Sequence, residues 1–130
     1  MIEVQEFLKE CGVYFLATSE DNTPHVRPFG TAEIFEDKLY IQTGKKKDVS
    51  KQIAKNPKVE ICSYKDGKWL RIKGTLKRDE RIEAKRDMLD KNPELKGMYQ
   101  AEDDNTEVLY FEKATATFYS FTEPPRTIEF

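Results

Sequence analysis

The chain has 130 residues, 38% of them hydrophobic and 35% charged, with a net charge of −2 at pH 7. That length fits a single domain, residues 1–130, with one core. No apolar run approaches the ~18 residues of a membrane span, and the mixed charge signs leave no nucleic-acid footprint.

The elements follow in chain order. Ile2 to Cys11 places Ile2, Val4, Phe7, Leu8 and Cys11 on one helical face, and Gly12 ends the helix. Val13 to Thr18 reads as a strand, apolar enough to be covered on both faces. A turn over Ser19–Pro24 leads to a second strand, His25 to Phe35, interrupted at Pro28 and Gly30. Leu39 to Gly44 alternates as a third, Val49 to Lys55 has helical spacing, and Asn56-Pro57 stops that helix. Val59 to Tyr64 and Trp69 to Leu76 form a hairpin around Asp66-Gly67. Asp79 is expected to cap a helix running to about Asp90. Asn92 to Asp104 is polar and irregular, with a helical turn around Leu95–Tyr99. Val108–Phe111 and Ala114–Phe121 read as two further strands, and Pro124-Pro125 ends regular structure.

Six to seven strands joined by short turns, with three helices, predict an antiparallel sheet. So many strands in a short chain favour closure into a small barrel.

Chemistry carried by the protein's own side chains is poorly supported. One histidine, His25, and no Cys/His cluster argue against a zinc site or a catalytic triad, and neither GxGxxG nor a Walker loop is present. Met1 to Glu10 carries acids and no long apolar segment, so no signal peptide is expected. Cys11 and Cys62 lack metal or redox spacing and are expected as reduced, buried thiols in the cytoplasm. Any reaction would be carried by a cofactor.

The unusual feature is the turn Gly44-Lys45-Lys46-Lys47. It puts three lysines at the start of a helix, where the dipole is already positive and amides are unpaired. Two readings stand: an anion held by these amides, the Thr43 hydroxyl and the ammonium groups, or a solvated lysine turn. Arg27, beside Pro28 on the preceding strand, would complete an anion site by facing the Thr43/Lys47 turn, although alone it also suits a strand's polar surface.

Together, His25-Val26-Arg27-Pro28, Leu39-Tyr40-Ile41-Gln42-Thr43, the lysine turn, Gln52 to Val59 and Trp69-Leu70-Arg71-Ile72-Lys73-Gly74 resemble a known family. The order and spacing are similar to the flavin-binding split-barrel superfamily of pyridoxamine 5'-phosphate oxidase, and most of all to its small members, which include the 5-nitroimidazole-resistance proteins. The resemblance implies a six-stranded antiparallel split β-barrel of Greek-key type with peripheral helices, a homodimer, and FMN in the groove between the two chains. It implies that Arg27 and Thr43 contact the phosphate and ribityl chain and that basic residues opening the helix hold the phosphate. Val49 stands where many members are basic, so that role falls to Lys47 or Lys51. Trp69 lies where the oxidases tend to have a glutamine near the flavin. It either rests on the ring system or packs in the core. The expected FMN-binding set is thus Arg27, Pro28, Thr43, Lys47, Lys51 and Trp69.

The oxidases close over their substrate with a terminal segment rich in Trp, Arg and His. This chain ends Glu123-Pro124-Pro125-Arg126-Thr127-Ile128-Glu129-Phe130, without histidine or tryptophan, so a true pyridoxamine phosphate oxidase is not expected. The expected function is an FMN-dependent oxidoreductase acting on an unknown small molecule. The alternatives are a non-catalytic flavin- or haem-binding module and an anion- or nucleotide-binding protein without flavin. A homodimer is also suggested by composition, because eight Phe and six Tyr exceed what a small barrel interior accepts.

Overall fold

The computed structural model describes residues 1–130. The elements are α1 (Ile2–Cys11), β1 (Tyr14–Glu20), β2 (Thr23–Phe29), β3 (Glu33–Phe35), β4 (Lys38–Gly44), α2 (Asp48–Lys55), β5 (Lys58–Lys65), β6 (Lys68–Asp79), α3 (Ile82–Lys91), β7 (Thr106–Ser120) and β8 (Arg126–Glu129). A short 3₁₀ turn, Pro93–Gly97, follows α3.

All eight strands join one antiparallel sheet in the order β2-β1-β5-β6-β7-β4-β3, with β8 on the far part of β7. The expected closed barrel is not formed. The sheet is open and not strongly curled; its path ends at β2 and β3, and no ladder joins them. The segment expected as one strand, His25 to Phe35, is the cause. It breaks at Gly30–Ala32 and sends its two halves to opposite edges of the sheet. Pro24 and Pro28 remove two backbone donors from β2, as suits an edge strand. Side chains secure the break: the Tyr14 hydroxyl donates to the Thr31 carbonyl at 2.6 Å, Gln5 donates to the Ala32 carbonyl, and Lys9 pairs with Glu33, the first residue of β3.

One face of the sheet carries the core. Leu16, Ile41, Ile61, Leu70, Ile72, Leu109 and Ala116 pack under Val4 and Leu8 of α1 and Val49 and Ile53 of α2. α3 covers the opposite face only at its β3-β4-β7 end, where Ala84 and Met88 pack on Tyr40 and Val108. Over β1 that face is bare, so Phe15 is half exposed and β1 is covered on one face, not two. Cys62 lies on the same open face and is exposed, contrary to the buried thiol expected, while Cys11 is half-buried.

β7 is a single strand of 15 residues, where two were expected. Its ladder with β6 slips between Thr75↔Lys113 and Leu76↔Phe111, leaving Glu112 as the extra residue of a bulge. Inward residues are therefore Leu109 and Phe111 before it, and Ala114 and Ala116 after it. Gly74 sits at this bend because a Cβ there would lie 2.6 Å from the Lys113 carbonyl oxygen. The tail expected to be irregular forms β8, which pairs with Thr115–Phe118.

Candidate functional site

β4 delivers Thr43, buried, and ends at Gly44. The chain then folds tightly: the Lys47 amide donates to the Gly44 carbonyl at 3.1 Å, and the Lys45 and Lys46 amides donate to Asn105. Lys47 is the N-cap of α2, in extended conformation, and no side chain caps the helix. The Ser50 amide donates to the Lys47 carbonyl at 3.1 Å, and the amides of Asp48 and Val49 are left for solvent or a ligand. Lys45 is neutralised by Glu80 at 3.0 Å and Asp104 at 3.4 Å. Lys46, Lys47 and Lys51 enter no ion pair, whereas Asp48 lies in the first turn of the helix.

Arg27 reaches this region from β2. Its position opposite Leu16 turns the side chain toward the core side of the sheet. There Nη1 donates to the Leu16 carbonyl (3.2 Å) and the Thr18 hydroxyl (2.9 Å), and Nη2 donates to Gln52 Oε1 (2.5 Å). The Thr18 hydroxyl donates to the same Gln52 oxygen at 2.6 Å. Every acceptor is neutral. The arginine is oriented by hydrogen bonds but its charge is not cancelled, and partial burial pulls its pKa below the ordinary value, with Asp48 opposing that shift.

These groups converge on a cleft of about 530 Å³ whose lining includes Arg27, Pro28, Thr43, Lys47, Met98 and Tyr99. That volume is within the usual range of small-molecule sites. Four of the six expected residues are therefore brought together. Lys51 is exposed one turn further along α2 and does not line the cleft. Trp69 lies on the open face of β6, stacked on Tyr119 with ring centroids 5.3 Å apart, and so is neither in the cleft nor in the core. A roomier groove, about 630 Å³, is lined by Lys58, Lys73 and Lys113 with Glu60 among them and by several hydroxyls, but no helix residue contributes to it. The smaller cleft combines uncancelled cations, uncapped amides and a buried hydroxyl, so it is the better site for an anion.

Thr18, Gln52, Gln42 and Tyr99 were not foreseen as site residues. Gln52 gave no signal because a buried glutamine on α2 reads in sequence as an ordinary polar helix position. Glu107, opposite Thr43 on β7, is fully buried; Arg78 pairs with it, and neither carboxylate oxygen accepts a hydrogen bond. No group of three or more His, Cys, Asp or Glu residues is placed to hold a metal.

Residues 1–119 match the family described as pyridoxamine 5'-phosphate oxidase. The chain belongs to that family. It is an FMN-binding, oxidoreductase-related family, and this member is closely related to its NimC/NimA-type proteins. The family member is 43% identical to a NimC/NimA family protein from Clostridium acetobutylicum, with a TM-score of 0.97, covering 100% of this chain and 92% of the other. A pyridoxamine 5'-phosphate oxidase-related, FMN-binding protein from Nostoc punctiforme shares the fold (TM-score 0.63, 15% identity, 99% and 94% coverage). So does a heme-binding protein from Mycobacterium smegmatis (TM-score 0.72, 15% identity, 97% of this chain and 56% of that one). A search of curated proteins finds no match. No helix is long and apolar enough to cross a membrane.

Proposed function

We propose that this protein binds FMN in the cleft between β2, the start of α2 and the turn after α3, and that it is a flavin-dependent oxidoreductase acting on a small molecule. The carrying observation is the convergence of Arg27, Thr43, Lys47 and the uncapped α2 amides in one cleft with too few carboxylates to cancel the charge. These groups would hold the phosphate, with Gln52 and Thr18 fixing the guanidinium. Pro28 would form part of the wall beside the ribityl chain. FMN supplies one- and two-electron redox chemistry that no side chain of the cleft offers.

A homodimer fits the same reading. The open face of the sheet exposes Val26 (67%), Tyr64 (61%) and Phe15 (49%), apolar area that a second copy would cover. Sedimentation at micromolar concentration should give twice the chain mass; a monomer would remove any groove between chains.

The deciding experiment is an absorbance spectrum of the purified protein, followed by titration of the apo form with FMN. Saturable binding with flavin bands supports the reading, and a colourless protein that refuses FMN refutes it. Reduction by NADH or NADPH and reoxidation by an acceptor would then separate an enzyme from a non-catalytic flavin carrier.

A further inference from the structure

The turn between α3 and β7 brings to the cleft a phenol hydroxyl that makes no hydrogen bond within the chain. The hydroxyls of Tyr14, Tyr40 and Tyr64 all have protein partners. Tyr99 is 8% exposed and lines the cleft with Thr43 and Lys47, yet its hydroxyl makes no hydrogen bond to the protein. The ring is buried but its hydroxyl is not shut off from water, so it stands free at the cleft, where a ligand can take the place of solvent as its partner.

Its position is firmly set. The ring packs on Leu89 and Ala101, with Ile82 and Leu95 alongside. The Tyr99 amide donates to the Leu95 carbonyl at 2.8 Å. Just beyond, Asp103 accepts from the amides of Gln100 (2.9 Å), Asn105 (2.8 Å) and Thr106 (2.8 Å), which pins the turn. The hydroxyl end lies over Gly44, between Thr43 and the lysine turn. A Cβ on Gly44 would stand 3.0 Å from the Tyr99 hydroxyl and 3.2 Å from Cε1, so the glycine provides the space that the phenol occupies.

We propose that Tyr99 is a further binding residue of the cleft, its hydroxyl donating a hydrogen bond to the phosphate held at the start of α2, with Gly44 as the gap that admits it. This rests on the FMN reading above. Tyr99 and Arg27 line the same cleft from different elements, the turn after α3 and β2, so both would reach a phosphate held there. A neutral donor at that point adds a directional contact without adding a fourth cation to a turn already rich in lysine.

The test is to compare FMN and riboflavin affinities of wild type, Tyr99→Phe, Gly44→Ala and the double variant, by flavin fluorescence quenching, with thermal midpoints as a check on folding. Tyr99→Phe should weaken FMN about tenfold and leave riboflavin within about twofold, as expected for a lost hydrogen bond to a charged group. Gly44→Ala, by displacing the ring, should weaken FMN similarly, and the double variant should lose little more than either single one. Unchanged FMN affinity in Tyr99→Phe, or equal losses for both flavins, would overturn the assignment and leave the FMN site standing. Failure of the wild type to bind FMN would overturn both.

Discussion

Two clusters of charge in this chain are built on opposite plans. At the corner where β6 meets α3, Asp79 is buried and accepts hydrogen bonds from the Tyr40 hydroxyl at 2.7 Å and from the Arg81 amide and guanidinium, while Arg81 also clasps Glu36. Each charge there is answered within the chain. At the start of α2, Lys45 apart, Arg27 is answered by neutral oxygens and Lys46, Lys47 and Lys51 enter no ion pair. The first arrangement serves folding, because a buried carboxylate must be paired where it lies. The second leaves attraction unspent, so it can act on a ligand. Charge that is oriented but not cancelled marks the site more clearly than the number of lysines does.

The comparison can be broken from either side. The largest expected effect on folding is at the corner: Asp79→Ala should lower the unfolding free energy by about 2 kcal/mol or more, since Tyr40 and Arg81 both lose their acceptor. Urea denaturation measures it, and FMN affinity should be unchanged while the variant remains folded. At the cleft, Arg27→Ala should do the reverse. FMN should weaken by roughly 1.5–3 kcal/mol, tenfold or more, with riboflavin much less affected and the urea midpoint little moved. Equal losses for the two ligands would mean that Arg27 shapes the cleft and does not grip a phosphate.

A pH titration sharpens the contrast. Burial alone would raise the Asp79 pKa, but hydrogen bonds from Arg81 and Tyr40 outweigh it and hold the carboxyl at about 2. Its stabilisation is complete above the unfolded pKa near 4 and is lost as pH falls through about 2, roughly 1 to 2 kcal/mol once solvent screening around Arg81 is allowed for. Asp79→Asn should remove this component of the acid limb. Lys47→Ala should weaken FMN severalfold and Lys51→Ala hardly at all, because only Lys47 lines the cleft; the opposite order would move the phosphate one turn along α2. The smallest expected signal is catalytic. FMN-loaded protein given pyridoxamine phosphate in air should form no pyridoxal phosphate or peroxide at ordinary enzyme rates, and sustained turnover at ~1 s⁻¹ would contradict this.

Local patterns in the sequence were read well where one rule decided the outcome. Gly12 does end α1 in the left-handed region at φ 78°, and Asp66-Gly67 does turn the β5–β6 hairpin. Helical spacing gave α2, and the family resemblance is what suggested a common site for Arg27, Pro28, Thr43 and Lys47, which line one cleft. The failures came where partners distant in sequence decided. Nothing local tells that β2 and β3 part to opposite edges, so strand count suggested a closure that the ladders do not make. Asp79 resembled a helix cap, yet it ends β6 and anchors Arg81, while α3 begins only at Ile82. The bulge at Glu112 reverses the alternation of β7, which is why one long strand read as two. Tyr99 lay in a polar stretch with no periodicity, and its placement depends on Gly44, 55 positions earlier.

The stacking of Trp69 on Tyr119 has an optical consequence. The chain has one tryptophan, so its indole emission comes from a single place, on the open face of the long β6–β7 ladder and outside the cleft. Indole emission overlaps flavin absorption, and a flavin in the cleft would therefore dim Trp69 through space, without touching it. The protein thus contains its own gauge of occupancy, one that needs no label and reads distance. Against a flavin seated on the indole itself, the two cases would differ in kind: partial quenching with a preserved spectrum in the first, near-complete loss in the second.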